Sequence, residues 1–307
     1  MEDYISVSDF SKPHILVAGK DYLLVYKPPR MHTVPLEKSK DDNLLTWCCA
    51  EFPEIAELTR KDNFSSDEAQ TESSGKQTGD GGVLHRLDFE TQGLILIART
   101  QSGMDSLVEQ QKSGKLIKEY IALTGEHETE LPGFPDEEPK LHFWVFREKR
   151  RIGDSINIKS AFRPFGPGRK AVRPVLPNLN VPYGNTLMVK NHEMDIALDG
   201  SRPYVTEIIN AQLFNSGGES LSVVHEMPKT GKPCLASFRI RIARGFRHQL
   251  RCHLAWVGRP ILNDGIYGGN SYGKGFLGLR ACSISFNDPV SDEKRTYSIA
   301  PMNLEDI

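Results

Sequence analysis

The residues best able to do chemistry lie in one short run, Gly82-Val83-Leu84-His85-Arg86-Leu87-Asp88-Phe89-Glu90-Thr91-Gln92-Gly93-Leu94. Asp88 stands between a basic dipeptide and the apolar run GLILIA, so its carboxylate would sit on rigid support. An ionised aspartate held in that way can act as a nucleophile or a general base. Two other readings fit the same letters. Asp88 and Glu90, two apart, would share a face of a continuing strand and could form a glycosidase-like carboxylate pair. A surface turn in which Asp88 pairs with a neighbouring arginine would need no chemistry. Further on, Arg247 and Arg251 are spaced i, i+4 on a predicted helix, which would aim both guanidiniums at one spot near its start. Tyr120 falls on a predicted strand, where half-buried packing is its ordinary use.

Other chemistry finds little support. Gly273-Lys274-Gly275-Phe276-Leu277-Gly278 fits a nucleotide-loop glycine pattern, but no apolar strand leads into it. His192-Glu193 and His225-Glu226 lack the second histidine of a zinc helix, and neither a phosphate-binding G-x-x-x-x-G-K-[ST] loop nor a G-x-S-x-G elbow occurs. The five cysteines (Cys48, Cys49, Cys234, Cys252, Cys282) form no C-x-x-C pair and read as reduced, mostly buried thiols. No apolar run reaches the roughly 18 residues of a membrane helix, and the N-terminus MEDYISVSDF does not resemble a secretion signal, so a cytoplasmic protein is expected. The formal net charge of the 307 residues is −2, which gives no long-range pull on a polyanion. Charge is nevertheless uneven. Nine basic residues stand against two acidic ones between Val145 and Pro174, among them Arg147, Lys149, Arg150 and Arg151, and six arginines with no acid lie between Phe238 and Arg259. Such segments can hold a polyanion locally, because screening over about 8 Å makes near charges count most.

The elements that must position these residues follow from periodicity. His14 to Pro29 reads as a hairpin turning at Gly19-Lys20-Asp21. Residues 59–82 hold one Phe and no other large apolar side chain, and are expected to be a flexible insertion. A helix is predicted over Ser102 to Ser113 with Met104, Leu107 and Val108 on one face, followed by a strand from Lys118 to Thr124. Residues 131–200 are rich in Pro, Gly and basic side chains and are read as a second insertion with no assigned element. Strands are predicted at Val205 to Leu213, Ser220 to Glu226 and Leu235 to Arg244. The helix His248 to Val257 would bury Leu250, Leu254 and Val257 and close at Gly258, a position that favours a left-handed residue. The class is α+β, with strands outnumbering helices.

The run HRLDFETQGL resembles the H-R-L-D-x-x-T-S-G-L signature of the RluA-type pseudouridine synthases. KEYIALTGE is similar to that family's K-x-Y-x-A-x-V-x-G strand. GFRHQLRCHLAWVGRPILNDGIYG resembles its G-R-x-H-Q-[IL]-R-x-H-L-x-x-x-G-x-P-I-x-G-D-x-x-Y-G segment. DYLLVYKPPRMHTVP and LRACSISFNDPV look like its early hairpin and closing strand, so the resemblance runs in order over residues 15–290. It implies that Asp88 is the catalytic residue, that Tyr120 stacks on the uracil, and that Leu250 packs on the base from the other side. It further implies that Arg251 keeps Asp88 ionised and that Arg86 lies near the flipped nucleotide. Lys118, Arg247, His248 and Gln249, with the basic run Arg147 to Arg151, are candidate RNA contacts. His253 is expected to be structural, and Asp264 and Tyr267 to form a turn supporting the site.

The fold so implied is a central mixed, mostly antiparallel sheet with flanking helices and a catalytic cleft, in a single catalytic domain over residues 1–307 without an N-terminal S4-type RNA-binding domain. The implied activity is isomerisation of uridines in structured RNA, ribosomal or transfer, by a monomer that uses neither cofactor nor metal. Departures exist. Gln92 stands in place of a serine, Phe246-Arg247 in place of Arg-Thr, and Arg280 in place of a common histidine. Two alternatives are an inactive RNA-binding protein or RNA chaperone of the same fold, and a nucleoside or glycoside hydrolase using Asp88 and Glu90.

Overall fold

A computed structural model describes residues 4–36, 42–59, 80–126, 131–135, 155–175, 203–215, 218–219 and 235–307. They fall into two compact units, Met1–Leu123 with Tyr272–Ile307, and Thr124–Ser271. The predicted strand over 220–226, the run Arg147 to Arg151 and most of the 59–82 segment lie outside the described residues.

In the first unit, β1 (His14–Ala18) and β2 (Tyr22–Lys27) form the expected hairpin. The short helix α1 (Leu44–Cys49) follows, with Asn43 as its cap: the Asn43 side chain accepts from Thr46 N at 2.9 Å. β3 (Gln92–Ala98) pairs antiparallel with β2, from Tyr22 opposite Ala98 to Lys27 opposite Gly93. Both strands are buried along their whole length, which explains why YLLVY and GLILIA read as continuous apolar runs. α2 (Gln101–Lys112) is capped by Thr100 and turns Met104 and Leu107 inward. It leads to β4 (Ile117–Thr124).

Two C-terminal strands complete this unit, β9 (Leu279–Asn287) and β10 (Lys294–Ser298). β9 enters between β3 and β4: it runs parallel to β3 at Gln92–Arg280 and Gly93–Ala281 and antiparallel to β4, where Ala281 faces Tyr120. Lys27, Gly93, Ala281 and Tyr120 therefore stand in one row across four strands. Gly93 makes that row possible. Its φ is +129°, and a Cβ there would collide with the Ala281 carbonyl oxygen.

In the second unit, β5 (Ile156–Phe165), β6 (Ala171–Val175), β7 (Tyr204–Phe214) and β8 (Leu235–Ile242) form antiparallel pairs in the order β8-β7-β5-β6. β5 and β6 lie inside the stretch to which the sequence assigned no element. Two features hid them. Ser160, on the buried side of β5, is polar because it hydrogen-bonds His253 Nε2 at 2.8 Å. Arg173 in β6 is buried because its guanidinium lies over the rings of Phe165 and Phe134, at 4.4 and 4.6 Å.

α3 (Gln249–Trp256) starts one residue later than predicted, since His248 adopts φ +56° ahead of it. Gly258 closes it at φ +77°, as the sequence suggested. All eight of its residues are buried, not the apolar stripe alone. The polar ones bring their own partners. Gln249 donates to Val205 O and Thr206 Oγ1, and His253 contacts Ser160 and Thr206 hydroxyls, each at 2.8 Å. Burial pushes the His253 imidazole down to about 3, which favours its neutral form between the two hydroxyls. Among the described residues, strands outnumber helices, β3 pairs with β9 in parallel while the other strand pairings described within each unit are antiparallel, and no helix is long and apolar enough to cross a membrane.

Candidate active site

Asp88 lies in a turn between residue 83, which bridges to Ile97, and β3, with its side chain half-buried. Three anchors hold the turn. Before it, the Thr33 hydroxyl donates to Leu87 O at 2.9 Å and accepts from Leu87 N at 3.1 Å. Within it, Thr91 N donates to Asp88 O at 3.0 Å, and the Lys27 ammonium donates to Phe89 O at 3.4 Å. After it, the Gln92 side-chain oxygen accepts from Tyr26 Oη at 2.8 Å and from Arg280 Nη2 at 3.1 Å.

Lys27 also donates to Pro28 O and Met31 O, at 2.9 and 2.7 Å, so one ammonium ties the end of β2 to the Asp88 turn. It is wholly buried, and burial pulls its pKa down to about 7 against the charges of Asp88 and Glu90, which raise it. Neither Lys27 nor Thr33 stands out as a site residue from the sequence. The one signal available was a lysine that directly continues a fully apolar strand. Beside the turn, Arg30 Nε faces Glu90 at 3.5 Å, and the exposed Phe89 ring meets His32 at 4.6 Å between centroids. Glu90 thus turns to an arginine on the neighbouring loop.

Tyr120 is 5% exposed on β4, in the row that contains Gly93, and Lys118 on the same strand is likewise buried. Arg86 is half-buried in the Asp88 run.

In the second unit, Arg251 forks onto Asp264: Nε to Oδ2 at 2.7 Å and Nη2 to Oδ1 at 2.9 Å, both side chains buried. Asp264 Oδ1 also accepts from the backbone N–H groups of Ile266 and Tyr267, at 3.0 and 3.2 Å. The Tyr267 hydroxyl accepts from Val172 N at 2.8 Å and lies 3.2 Å from His248 Nδ1. Asp264 and Tyr267 therefore support α3 and β6, and Leu250 and Gln249 are buried beside Arg251. The expectation that Arg247 and Arg251 converge is corrected. The left-handed His248 (φ +56°) breaks the helical spacing between Arg247 and Arg251, and Arg247 donates to Arg169 O at 2.6 Å and Ala171 O at 3.2 Å.

Comparison with known proteins gives this arrangement a context. The family model for RNA pseudouridylate synthases matches residues 21–256, most of the chain. The chain belongs to the RNA pseudouridylate synthase family. Among its curated relatives in that family is an uncharacterised RNA pseudouridine synthase of Helicobacter pylori, 22% identical over 93% of this chain and 65% of that protein. Another is the ribosomal large subunit pseudouridine synthase D of Escherichia coli, 22% identical over 83% of this chain and 52% of that protein. The chain thus spans between about half and two thirds of the length of these relatives. Human RNA pseudouridylate synthase domain containing 1 has the same fold, with a TM-score of 0.51 and 16% identity over 96% of this chain and 86% of that one.

Within this family's pattern, two departures noted in the sequence prove to be neighbours. Gln92 and Arg280 face each other in the β3–β9 register and are hydrogen-bonded. The third departure, Phe246, stacks on Phe162 at 5.0 Å with rings 8° apart, so it serves packing in the second unit. Among the described residues no group of three or more His, Cys, Asp or Glu gathers at a point where an ion could bind.

Proposed function

We propose that the chain is an RNA pseudouridine synthase that isomerises uridine in structured RNA, ribosomal or transfer, with Asp88 as its catalytic residue. The observation that carries this reading is the Asp88 turn, fixed from three sides within a match to the family that covers residues 21–256. A carboxylate so fixed is preorganised for attack, since holding a reactive group in place removes much of the entropy cost of the encounter.

The reaction breaks the bond between uracil N1 and ribose C1′, turns the base, forms a bond from C5 to C1′, and exchanges protons with water: C5 gives one up and N1 takes one on. Every atom except the C5 proton is retained and no oxidation state of the nucleoside changes overall, so the chemistry calls for no redox cofactor. Asp88 would begin it by adding to C1′, by adding to C6, or by taking a proton from the sugar, and all three start from the ionised carboxylate. Tyr120 supplies the ring on which a flipped uracil stacks, and such stacking is worth about 1 to 3 kcal/mol. Arg86 serves the nucleotide backbone. Leu250 and Arg251 are assigned to substrate binding, with Lys118, Arg247 and His248 as RNA contacts; Gln249, buried with both amide atoms bonded to Val205, Thr206 and Phe246, orients the helix start instead of meeting RNA. A cytoplasmic monomer is the setting we propose.

Tritium release from RNA containing 5-tritiated uridine tests this directly. Wild-type protein is expected to release tritium from ribosomal or transfer RNA transcripts. Asp88→Asn is expected to release none while keeping its RNA affinity and melting temperature. Substantial release by Asp88→Asn would remove Asp88 from the chemistry.

A further inference from the structure

Arg280 is one of the largest fully buried side chains among the described residues, and it carries a charge. Its contacts all lead to segments distant in sequence. Nε and Nη2 donate to the Gln92 side-chain oxygen at 3.3 and 3.1 Å, and Nη1 donates to Ala300 O at 3.3 Å and Pro301 O at 3.5 Å. Nη1 lies 3.4 Å from Asp306 Oδ2, and the guanidinium lies 4.2 Å from the centre of the Phe10 ring. Tyr26 Oη joins the same cluster, donating to Gln92 at 2.8 Å and reaching Phe10 O at 3.1 Å. Burying a guanidinium is unfavourable unless its donors are matched, and here the acceptors are spread over β3 and the 300–306 segment. Gln92 immediately follows Thr91, whose N–H closes the Asp88 turn.

We propose that Arg280 is a positioning residue for the Asp88 turn, acting through the Gln92 side-chain carbonyl and braced by the 300–306 segment. Gln92 lies opposite Arg280 at the start of the short parallel pairing between β3 and β9, the pairing that Gly93 alone permits. A shift of Arg280 is transmitted to Gln92 and so to the end of the turn. Its effect on rate rests on the function proposed above, whereas its effect on the turn does not.

Two measurements separate these. Hydrogen exchange at the Thr91 amide reads the turn, and single-turnover tritium release reads the consequence. Arg280 itself is left intact, because its removal would strand several buried acceptors. In Gln92→Ala, Thr91 exchange is expected to accelerate about tenfold and single-turnover release to slow about tenfold, with RNA affinity unchanged. Gln92→Glu, which restores an acceptor opposite Arg280, should return both values towards wild type. Asp306→Ala, partly exposed at the far end of the cluster, should shift exchange in the same direction. Unaltered Thr91 exchange in folded Gln92→Ala overturns the proposal, as does a rate loss matched by loss of affinity and not recovered in Gln92→Glu. If Asp306→Ala exchanges like wild type, the bracing by the 300–306 segment is refuted. Should wild-type protein release no tritium while exchange responds as expected, the positioning role stands and the proposed function falls.

Discussion

Lys27 ends a buried strand and holds three carbonyls, yet its own charge is costly there. Its pKa is pulled from 10.5 down to about 7, chiefly by burial. Between about pH 7 and 10.5 the unfolded chain therefore holds a proton at this position that the folded chain does not, so this group's contribution to stability rises with pH in that window. Below about pH 7 both states are protonated and the full cost applies. Lys27→Met deletes the titration but leaves the carbonyls of Pro28, Met31 and Phe89 without this donor, a change of about 1 to 3 kcal/mol per buried group stranded. Urea unfolding should therefore show a stability gap between wild type and Lys27→Met that widens as pH rises above 7, by at most about 1.4 kcal/mol per unit. A gap independent of pH would mean that Lys27 is charged in the fold throughout that window. The variant should also slow isomerisation, because the Asp88 turn loses its middle anchor.

At the scale of elements, α3 and the β5–β6 hairpin each bury charge by matching it. The fork between Arg251 and Asp264 fixes α3 to the turn that follows it, and both partners are buried. Removing one member of such a pair leaves an uncompensated charge, which costs about 3 to 5 kcal/mol. Asp264→Ala should therefore lower the denaturant midpoint by that equivalent, whereas a loss under about 1 kcal/mol would show that water replaces the carboxylate. The hairpin works differently. Its tip, residues 166–170, is exposed and carries Arg169 and Lys170, with Arg163 exposed on β5 below it and no acidic residue anywhere between residues 155 and 175. If it meets RNA phosphates, Arg169→Glu with Lys170→Glu should reduce the slope of log affinity against log salt by about 1.4 to 1.8, because two phosphates are no longer neutralised. An unchanged slope would make the tip a solvated surface.

For the molecule as a whole, what the sequence made legible were local signals. The Asp88 run, the hairpin of β1 and β2, the helix ahead of Gly258 and the strand predicted from Leu235 all depend on neighbours within a few residues, and the structure contains each of them. What stayed hidden were choices made by distant partners. Ser160 reads as a break in a strand until His253, 93 residues away, is known to bond it. Arg173 reads as surface until the rings that cover it are placed, and Lys27 reads as a strand end until the carbonyl of Phe89 comes within its reach. Arg247 departs from expectation for a smaller reason, a left-handed residue at 248 that breaks its helical spacing to Arg251. Side chains buried with their polarity intact resist inference from composition, because the chain carries the polar letter and the fold supplies its partner.

The row Lys27-Gly93-Ala281-Tyr120 behaves as a gauge made of backbone. From Gly93 to Tyr120 there are two interstrand steps, a span of about 10 Å set by the hydrogen-bond repeat of a sheet and by no side chain. Surfaces elsewhere on the molecule can be recoloured by substitution, and a new set of partners selected, while this length stays the same. Anything larger than glycine at position 93 would break the gauge, because a Cβ there meets the Ala281 carbonyl, whatever the loops around it carry.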